Sequence, residues 1–394
     1  MINTSQPDML HIEACNFIDK PTGGQLTFSR QLIKIFGNRL ALVGWASANS
    51  EPIGRWFEKM IDGIKYQYFA IGPEKSSKIK PQIPLRLTTW LQMKRHLPMI
   101  LSIGIPNIII REHAILMAMV SNHEYNICFY FPGVDSPLSI SRYAWAKPFG
   151  RLFDKLFFQS LSQKTKCVLA AADKPAIDEL KSRAGEKLRD MDIVSFPTRV
   201  DTDIFHPADH LTIRKTLGLP TDCIIAVTTG RIHWAKGWQF LLDSFRTFVL
   251  GFPGSLLIFI GDGAEKQALT QYAESLGLEE NIILVGYQPP NVVAAYLQAC
   301  DLFVMGSLKE GWSTALVEAL ACHLPIVTTS FSSADTIVKQ GINGFIVERN
   351  KEIFSNSMER ALTLSEVSEY SRISIDRYSQ KTLKSDLLSV WPIF

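Results

Sequence analysis

The stretch KEGWSTALVEALACHLPIV, from Lys309 to Val327, carries two glutamates, Glu310 and Glu318, with seven residues between them. Glu310 precedes a small polar turn, whereas Glu318 is flanked by Val317, Ala319 and Leu320 inside an apolar helical pattern. An unpaired carboxylate in a buried helix costs several kcal/mol. The helix expected from Ser313 or Thr314 has Leu316 and Val317 where a capping box needs Glu or Gln, so its first amides are expected to be free for a ligand. If Glu318 faces that ligand, its carboxylate accepts two hydrogen bonds from adjacent hydroxyls, as a ribose presents them. Glu310, ahead of the turn, is placed to meet hydroxyls of a sugar.

A second set of chemical residues lies in TTGRIHWAKGWQFLLDSF, Thr228 to Phe245. The segment leaves a strand, passes Gly230 and enters an amphipathic helix after Gly237, with Arg231 and Lys236 in the loop ahead of the helix. Unpaired amides and the positive end of the dipole make that an anion site. Arg supplies a planar fork and Lys a compact charge, complementary ways to hold a diphosphate. Solvated loop charges are the plainer explanation, and the strand-end position weighs against it. Near the start, Gly23 and Gly24 lie between the first strand and a helix from about Gln25, where backbone can approach a ligand closely; a plain tight turn reads the same way. In IGDGAEKQAL, Gly261 and Gly263 are followed by Lys266 where a dinucleotide fingerprint needs its third glycine, which counts against nicotinamide or flavin.

These residues need strands and helices to position them, and the chain alternates the two. Strands are expected at Met9–Cys15, Arg39–Ala46, Tyr66–Gly72, Asn107–Ile110, Ile127–Phe131, Lys166–Ala171 and Asp192–Phe196. The second half repeats the rhythm at Cys223–Thr229, Leu256–Gly261, Asn281–Gly286, Leu302–Gly306, Pro325–Thr329 and Gly344–Val347, with helices such as Trp238–Leu250 and Thr314–Cys322 between them. Short continuous apolar strands separated by helices imply parallel sheets covered on both faces. The polar link PTRVDTDIFHP, Pro197 to Pro207, is the expected hinge. The expected organisation is two doubly wound α/β domains, 1–199 and 200–375, facing across a cleft at the carboxyl ends of both sheets, with a helical tail, 376–394, packing back on the first.

The bulk properties agree with that plan. At 394 residues the chain suits two domains of roughly 150 to 200 residues. A net charge of +3 gives no reason to expect a nucleic-acid partner. Six cysteines without paired spacing argue against a disulfide framework or a zinc site, so a reducing cytoplasm is the expected compartment. No secretion signal or membrane span is expected: Asp8, Glu13 and Asp19 interrupt the start, and Pro98, Pro106 and Asn107 break the most apolar region. Charge is uneven, however. Residues 65–95 hold seven basic residues against Glu74, and 142–158 reads RYAWAKPFGRLFDKLFF with Asp154 as its one acid. Such runs are either solvated helix faces or a peripheral contact with an anionic membrane.

Taken together, GRIHWAKG, FIGDGAEKQAL, NIILVGYQP, the Glu310 to Glu318 motif with EALACHLPIVTT, and IVKQGINGFIV resemble a retaining glycosyltransferase of the GT-B fold, in the glycosyltransferase group 1 or family four class. The hinge resembles the family's PNGVD pattern with Thr198 and Arg199 in place of Asn and Gly. The resemblance implies a nucleotide-sugar donor, UDP- or GDP-linked, held mainly by the second domain, with no cofactor and no metal. Arg231 and Lys236 would neutralise the departing diphosphate, Glu318 would bind the ribose and Glu310 the donor sugar. Gly230, Gly311, Trp312, Ser313 and Thr314 would meet sugar or phosphate, Gly23 and Gly24 would close from the other domain, and the base would lie near Val285, Gly286 and Tyr287.

One family feature is displaced. A histidine that contacts the donor sugar is often found after the strand that ends here at Phe131, but Pro132 occupies the position. His113 is a candidate replacement, set against the plainer view that it is structural; His323 is expected to end a helix without chemistry. The resulting expectation is transfer of a sugar to a hydroxyl of a glycan or lipid-linked glycan, in bacterial surface polysaccharide synthesis, in the cytoplasm at the inner face of the plasma membrane. The alternatives are an epimerase or phosphorylase of the same fold, or a non-catalytic sugar-nucleotide-binding subunit.

Overall fold

The computed structural model describes residues 6–18, 24–73, 83–121, 124–134, 136–138 and 143–393. The chain forms two compact units, Met1–Pro197 with Leu383–Phe394, and Thr198–Thr382. The expected tail, 376–394, is therefore divided: Asp376 to Thr382 belongs to the second unit and Leu383 onward to the first.

The first unit runs β1 (Met9–Ile12), α1 (Gly24–Phe36), β2 (Leu40–Gly44), β3 (Trp56–Ile61), β4 (Ile64–Ala70), α2 (Leu85–Leu101), β5 (Asn107–Ile110), α3 (His113–Ala118), β6 (Asn126–Phe131), α4 (Gly150–Lys164), β7 (Cys167–Ala170), α5 (Lys174–Ala184) and β8 (Val194–Ser195). Its sheet has the order β3-β4-β2-β1-β5-β6-β7-β8, parallel except for β3. Strands β1, β2, β5, β6 and β7 are buried along their whole length, which is why they read as unbroken apolar runs rather than alternating ones. Strand β3 was not expected. It pairs antiparallel with β4 around Asp62 and Gly63, both at positive φ, and that Asp-Gly pair is the hairpin signal that marks it.

The second unit continues with α6 (His210–Leu217), β9 (Ile225–Thr229), α7 (Trp238–Gly251), β10 (Leu256–Ile260), α8 (Lys266–Ser275), β11 (Ile282–Gly286), α9 (Pro290–Ala299), β12 (Leu302–Met305), α10 (Thr314–Ala321), β13 (Ile326–Thr329), α11 (Ala334–Ile337), β14 (Gly344–Val347), α12 (Lys351–Ala361) and α13 (Val367–Ser374); α14 (Leu383–Val390) returns to the first unit. All six strands are parallel, in the order β11-β10-β9-β12-β13-β14. Counted within the unit this is 3-2-1-4-5-6, the doubly wound order whose direction reverses between the first and fourth strands. The reversal lies between β9 and β12, and the loops leaving their carboxyl ends hold Arg231, Lys236 and Glu310.

A buried clip holds the opposite end of these strands. Arg214 on α6 donates from Nε to the Ala299 carbonyl at 2.7 Å and pairs with Asp301, which in turn accepts from the Ile225 amide at 2.7 Å. Removing one partner of such a buried pair typically costs about 3 to 5 kcal/mol, so the clip fixes the start of β9 against β12.

Candidate active site

The loop after β9 is fixed by close backbone approaches. Gly230 sits at φ 136° and donates to the Ile260 carbonyl at 2.9 Å, while a Cβ on Gly261 would lie 1.9 Å from the Gly230 oxygen. Residues Trp234–Lys236 form one 3-10 turn, closed by Gly237 at φ 67°. A Cβ on Gly237 would meet the Gly306 oxygen at 1.8 Å, and the Leu308 amide donates to the Ala235 carbonyl at 2.9 Å. The two strand-end loops of the switch point are thus packed backbone to backbone. Helix α7 starts from Gly237 without a side-chain cap. Arg231 is exposed beside it and has no ion-pair partner among the described residues.

From the other loop, Glu310 reaches back to the first. Lys236 Nζ forms an ion pair with Glu310 Oε1, and Ser307 Oγ donates to the same oxygen at 2.7 Å. The Glu310 side chain is 12% exposed and that of Lys236 33%, so the pair is sheltered but reachable. Buried Ser307 is itself held, its carbonyl accepting from Thr329 Oγ1 at 2.6 Å. Glu310 Oε2 takes no hydrogen bond among the described residues, which leaves one carboxylate oxygen for a ligand. Sequence reasoning missed Ser307; a polar residue between an apolar strand and Glu310, three positions before it, was the available signal.

Helix α10 differs from expectation at its start. Ser313 is buried, and its Oγ accepts from the Leu316 amide at 3.4 Å and lies 3.5 Å from Met305 Sδ. The amides expected to be free therefore lose one to a serine N-cap, and the Ser313 side chain is used inside the fold. Glu318 lies farther along α10 with neither hydrogen bond nor ion pair to its carboxylate among the described residues. Burial pushes its carboxyl up to about 8, because no cation or donor offsets the cost of desolvating the charge. A half-buried, unpartnered carboxyl on the helix that follows Glu310 remains available to donors from a ligand.

The remaining expected residues are distributed as follows. Gly311 and Thr314 are half-buried around the α10 start. Trp312 packs its ring on Tyr378 at 5.6 Å, and its buried indole N–H has no hydrogen-bond partner among the described residues, so the side chain belongs to the wall rather than the open surface. At the end of β11, Val285 is half-buried, Gly286 is at φ 80° and Tyr287 is 60% exposed. His323 follows α10 at φ 60°.

In the first unit, Gly23 lies outside the described residues and Gly24 is the first residue of α1. His113 is enclosed by Phe129, Phe131, Phe153 and Phe157, with ring centroids 4.4 to 6.2 Å away. Burial lowers it to about 3, and nearby Arg86 and Arg183 add to the shift. A neutral imidazole packed in an aromatic cluster does not fit the sugar contact considered for it; its place is in the core. The switch point of this sheet, between β1 and β5, holds a different feature. Arg111 pairs with Glu13 at 3.7 Å and lies over the rings of Phe28 and Tyr130 at 4.9 and 5.1 Å.

The chain thus has two doubly wound α/β units, with the Lys236–Glu310 ion pair at the switch point of the second. Residues 209–377 match the family described as Glycosyl transferases group 1. The second unit is a glycosyl transferases group 1 domain, and the chain has the two Rossmann-like units of the GT-B fold. A curated relative, alpha-monoglucosyldiacylglycerol synthase of Acholeplasma laidlawii, is 28% identical over 172 residues, which is 43% of this chain and 43% of that protein. The aligned segment thus spans less than half the length of that relative. Over 98% of both chains, the structure resembles sucrose-phosphate synthase from Thermosynechococcus elongatus, at 14% identity and a TM-score of 0.79. It also resembles Anabaena HepE in complex with UDP-glucose, at 16% identity and a TM-score of 0.67 over 97% of this chain and 98% of that one.

Proposed function

We propose that the protein is a retaining, metal-independent glycosyltransferase that moves a hexose from a UDP- or GDP-linked donor to a hydroxyl of a glycan or lipid-linked glycan. The observation that carries the reading is the meeting of Lys236, Glu310 and Ser307 at the switch point, with Arg231 free beside them. In this reading Arg231 and Lys236 stand over the diphosphate with the α7 amides, Glu310 Oε2 accepts from a sugar hydroxyl, and Glu318 accepts from the ribose diol. Gly230, Gly311 and Thr314 bring backbone to the phosphate and sugar, and the base lies by Val285, Gly286 and Tyr287. The solved neighbour that holds UDP-glucose supports a UDP donor among the two.

The chemistry follows from the charges. As the bond from the anomeric carbon to the phosphate oxygen breaks, its electron pair goes to the diphosphate, and fixed cations stabilise that developing charge more than the ground state. The acceptor oxygen forms its bond on the face the phosphate leaves, and its proton passes to the departing phosphate oxygen. Glu310 is tied to Lys236 and Ser307 through Oε1, an arrangement suited to holding a sugar rather than attacking it.

The reading includes surface polysaccharide synthesis at the inner face of the plasma membrane, with peripheral contact through residues 65–95 and 142–158. Part of the first run, 74–82, lies outside the described residues. Among those described, no helix is long and apolar enough to cross a membrane. The named product of the Acholeplasma relative, a glucosylated diacylglycerol, supports a lipid-linked acceptor. Release of nucleoside diphosphate from one sugar nucleotide tests the catalytic part: it should be lost in Lys236→Ala and Glu310→Ala while both stay folded. Binding of the donor with no release by the unaltered protein would favour a non-catalytic subunit.

A further inference from the structure

The first unit exposes four large apolar side chains between Trp145 and Leu156. Trp145 and Phe149 are 60% and 56% exposed in the 3-10 turn Ala144–Phe149, and Leu152 and Leu156 on α4 are 55% and 46% exposed. Leu152 and Leu156 are one helical turn apart and share a face of α4, and Trp145 and Phe149 are exposed in the 3-10 turn that leads directly into it. Four large apolar side chains within twelve consecutive residues, each about half exposed, exceed the scattered exposure of an ordinary surface.

Beside Leu152 and Leu156, about 100° around the helix, stand Arg151 and Lys155. They line a cavity of 320 Å³ between α4 and the segment Lys174–Leu188, together with Asp154, Phe158, Arg183 and Lys187. Its single acid is already used: Asp154 accepts from Ser136 Oγ at 2.8 Å and pairs with Arg183 Nε at 3.4 Å. Arg183 also donates to the Val134 carbonyl at 2.7 Å. Arg151, Lys155 and Lys187 have no ion-pair partner among the described residues. The groove therefore holds a surplus of positive charge, with an aromatic floor, directly alongside the apolar side chains.

We propose that the first unit rests on an anionic bilayer through Trp145–Leu156, with the phosphate of an acidic phospholipid seated among Arg151, Lys155 and Lys187. The proposal rests on the membrane contact proposed above and gives it a ligand and a place. The charge pattern selects this occupant. A second protein surface would suit the apolar side chains, but it offers no reason for unpaired cations lining the adjoining groove, whereas acyl chains and phosphates present both chemistries at that depth.

The test is flotation of the full chain with vesicles of phosphatidylcholine and with equimolar phosphatidylcholine and phosphatidylglycerol. The protein should partition to the mixed vesicles, and added salt should weaken the partition. Arg151→Gln with Lys187→Gln should lower it by roughly thirtyfold, at about a tenfold change per 1.4 kcal/mol and about 1 kcal/mol per cation, and abolish the preference for phosphatidylglycerol. Trp145→Ser with Leu152→Gln should remove binding to both vesicles. Equal binding to the two vesicles, or a dimer that the apolar variant splits with no vesicle partition, overturns the proposal. Thermal stabilisation by UDP-glucose, measured on the same variants, should be unchanged, which separates failure here from failure of the donor reading.

Discussion

Lys236 and Glu310 lie 74 residues apart in the chain and meet as an ion pair, with the Ser307 hydroxyl donating to the shared carboxylate oxygen. The pair joins the loop after β9 to the loop after β12, the two strands that flank the reversal in the second sheet. It is the contact on which the donor reading turns. Lys236→Ala is expected to lower sugar transfer by on the order of a hundredfold to a thousandfold, since one preorganised charge on the leaving group is lost. The pair is partly exposed, so its loss should change the unfolding free energy by less than about 1 kcal/mol. Transfer kinetics and urea unfolding of the same variant check both.

Glu318 should give the second unit a distinct pH response. Its carboxyl is raised from 4.5 to about 8 in the folded state, so folding favours the protonated form. Stability from this group is full below the unfolded value and falls as pH rises toward 8, because the folded state then binds more protons than the unfolded one. Glu318→Gln should flatten that decline. A ligand that donates hydroxyl hydrogens favours the carboxylate, so donor affinity in the unaltered protein should rise with pH up to about 8 and then level. Calorimetry across that window, in both proteins, reads the two slopes.

The first unit should respond in the opposite direction. His11 and His113 are both lowered from 6.5 to about 3, chiefly by burial. The unfolded chain binds protons that the folded one refuses, so stability present above 6.5 is lost as pH falls toward 3. His113→Phe should soften this acid limb, leaving donor-induced stabilisation intact. A loss of transfer with normal acid stability would instead return His113 to the site.

Two glycines separate conformational strain from close packing. Gly218 and Gly237 have φ of 68° and 67°, but a Cβ on Gly218 meets nothing within 4 Å, whereas one on Gly237 meets the Gly306 oxygen at 1.8 Å. Gly218→Ala should cost about 1 to 2 kcal/mol, the left-handed strain alone. Gly237→Ala should cost clearly more and also impair transfer, because Lys236 precedes it and the loop after β12 must move. Paired denaturation curves give the difference.

The second unit was the more legible half. Its strands are short, so each reads as an apolar run at nearly its final bounds, and Arg231, Lys236 and Glu310 lie in strand-end loops as the pattern implies, while Glu318 stands out as a carboxylate inside an apolar helix. The ion pair itself was not legible. Lys236 and Glu310 become neighbours only because β9 pairs with β12, a crossover that no local pattern records. Ser313 was misjudged for a related reason: the capping box was sought at Leu316 and Val317, while a lone serine caps through its own hydroxyl. At a strand end, His113 reads either as a sugar contact or, more plainly, as structural; the four phenylalanines that enclose it come from β6 and α4, distant in sequence, so the local pattern could not decide. Strand β3 escaped because its faces are only partly buried, and its Asp-Gly turn went unused.

The donor claim is tested most directly by thermal unfolding of the full chain with UDP-, GDP-, ADP- and dTDP-sugars, for the unaltered protein and for Lys236→Ala. One uridine or guanosine donor should raise the unfolding temperature of the unaltered protein, and the variant should show little of that rise at the same concentration. No shift with any of the four, or an equal shift in the variant, would contradict a donor site built on Lys236 and Glu310.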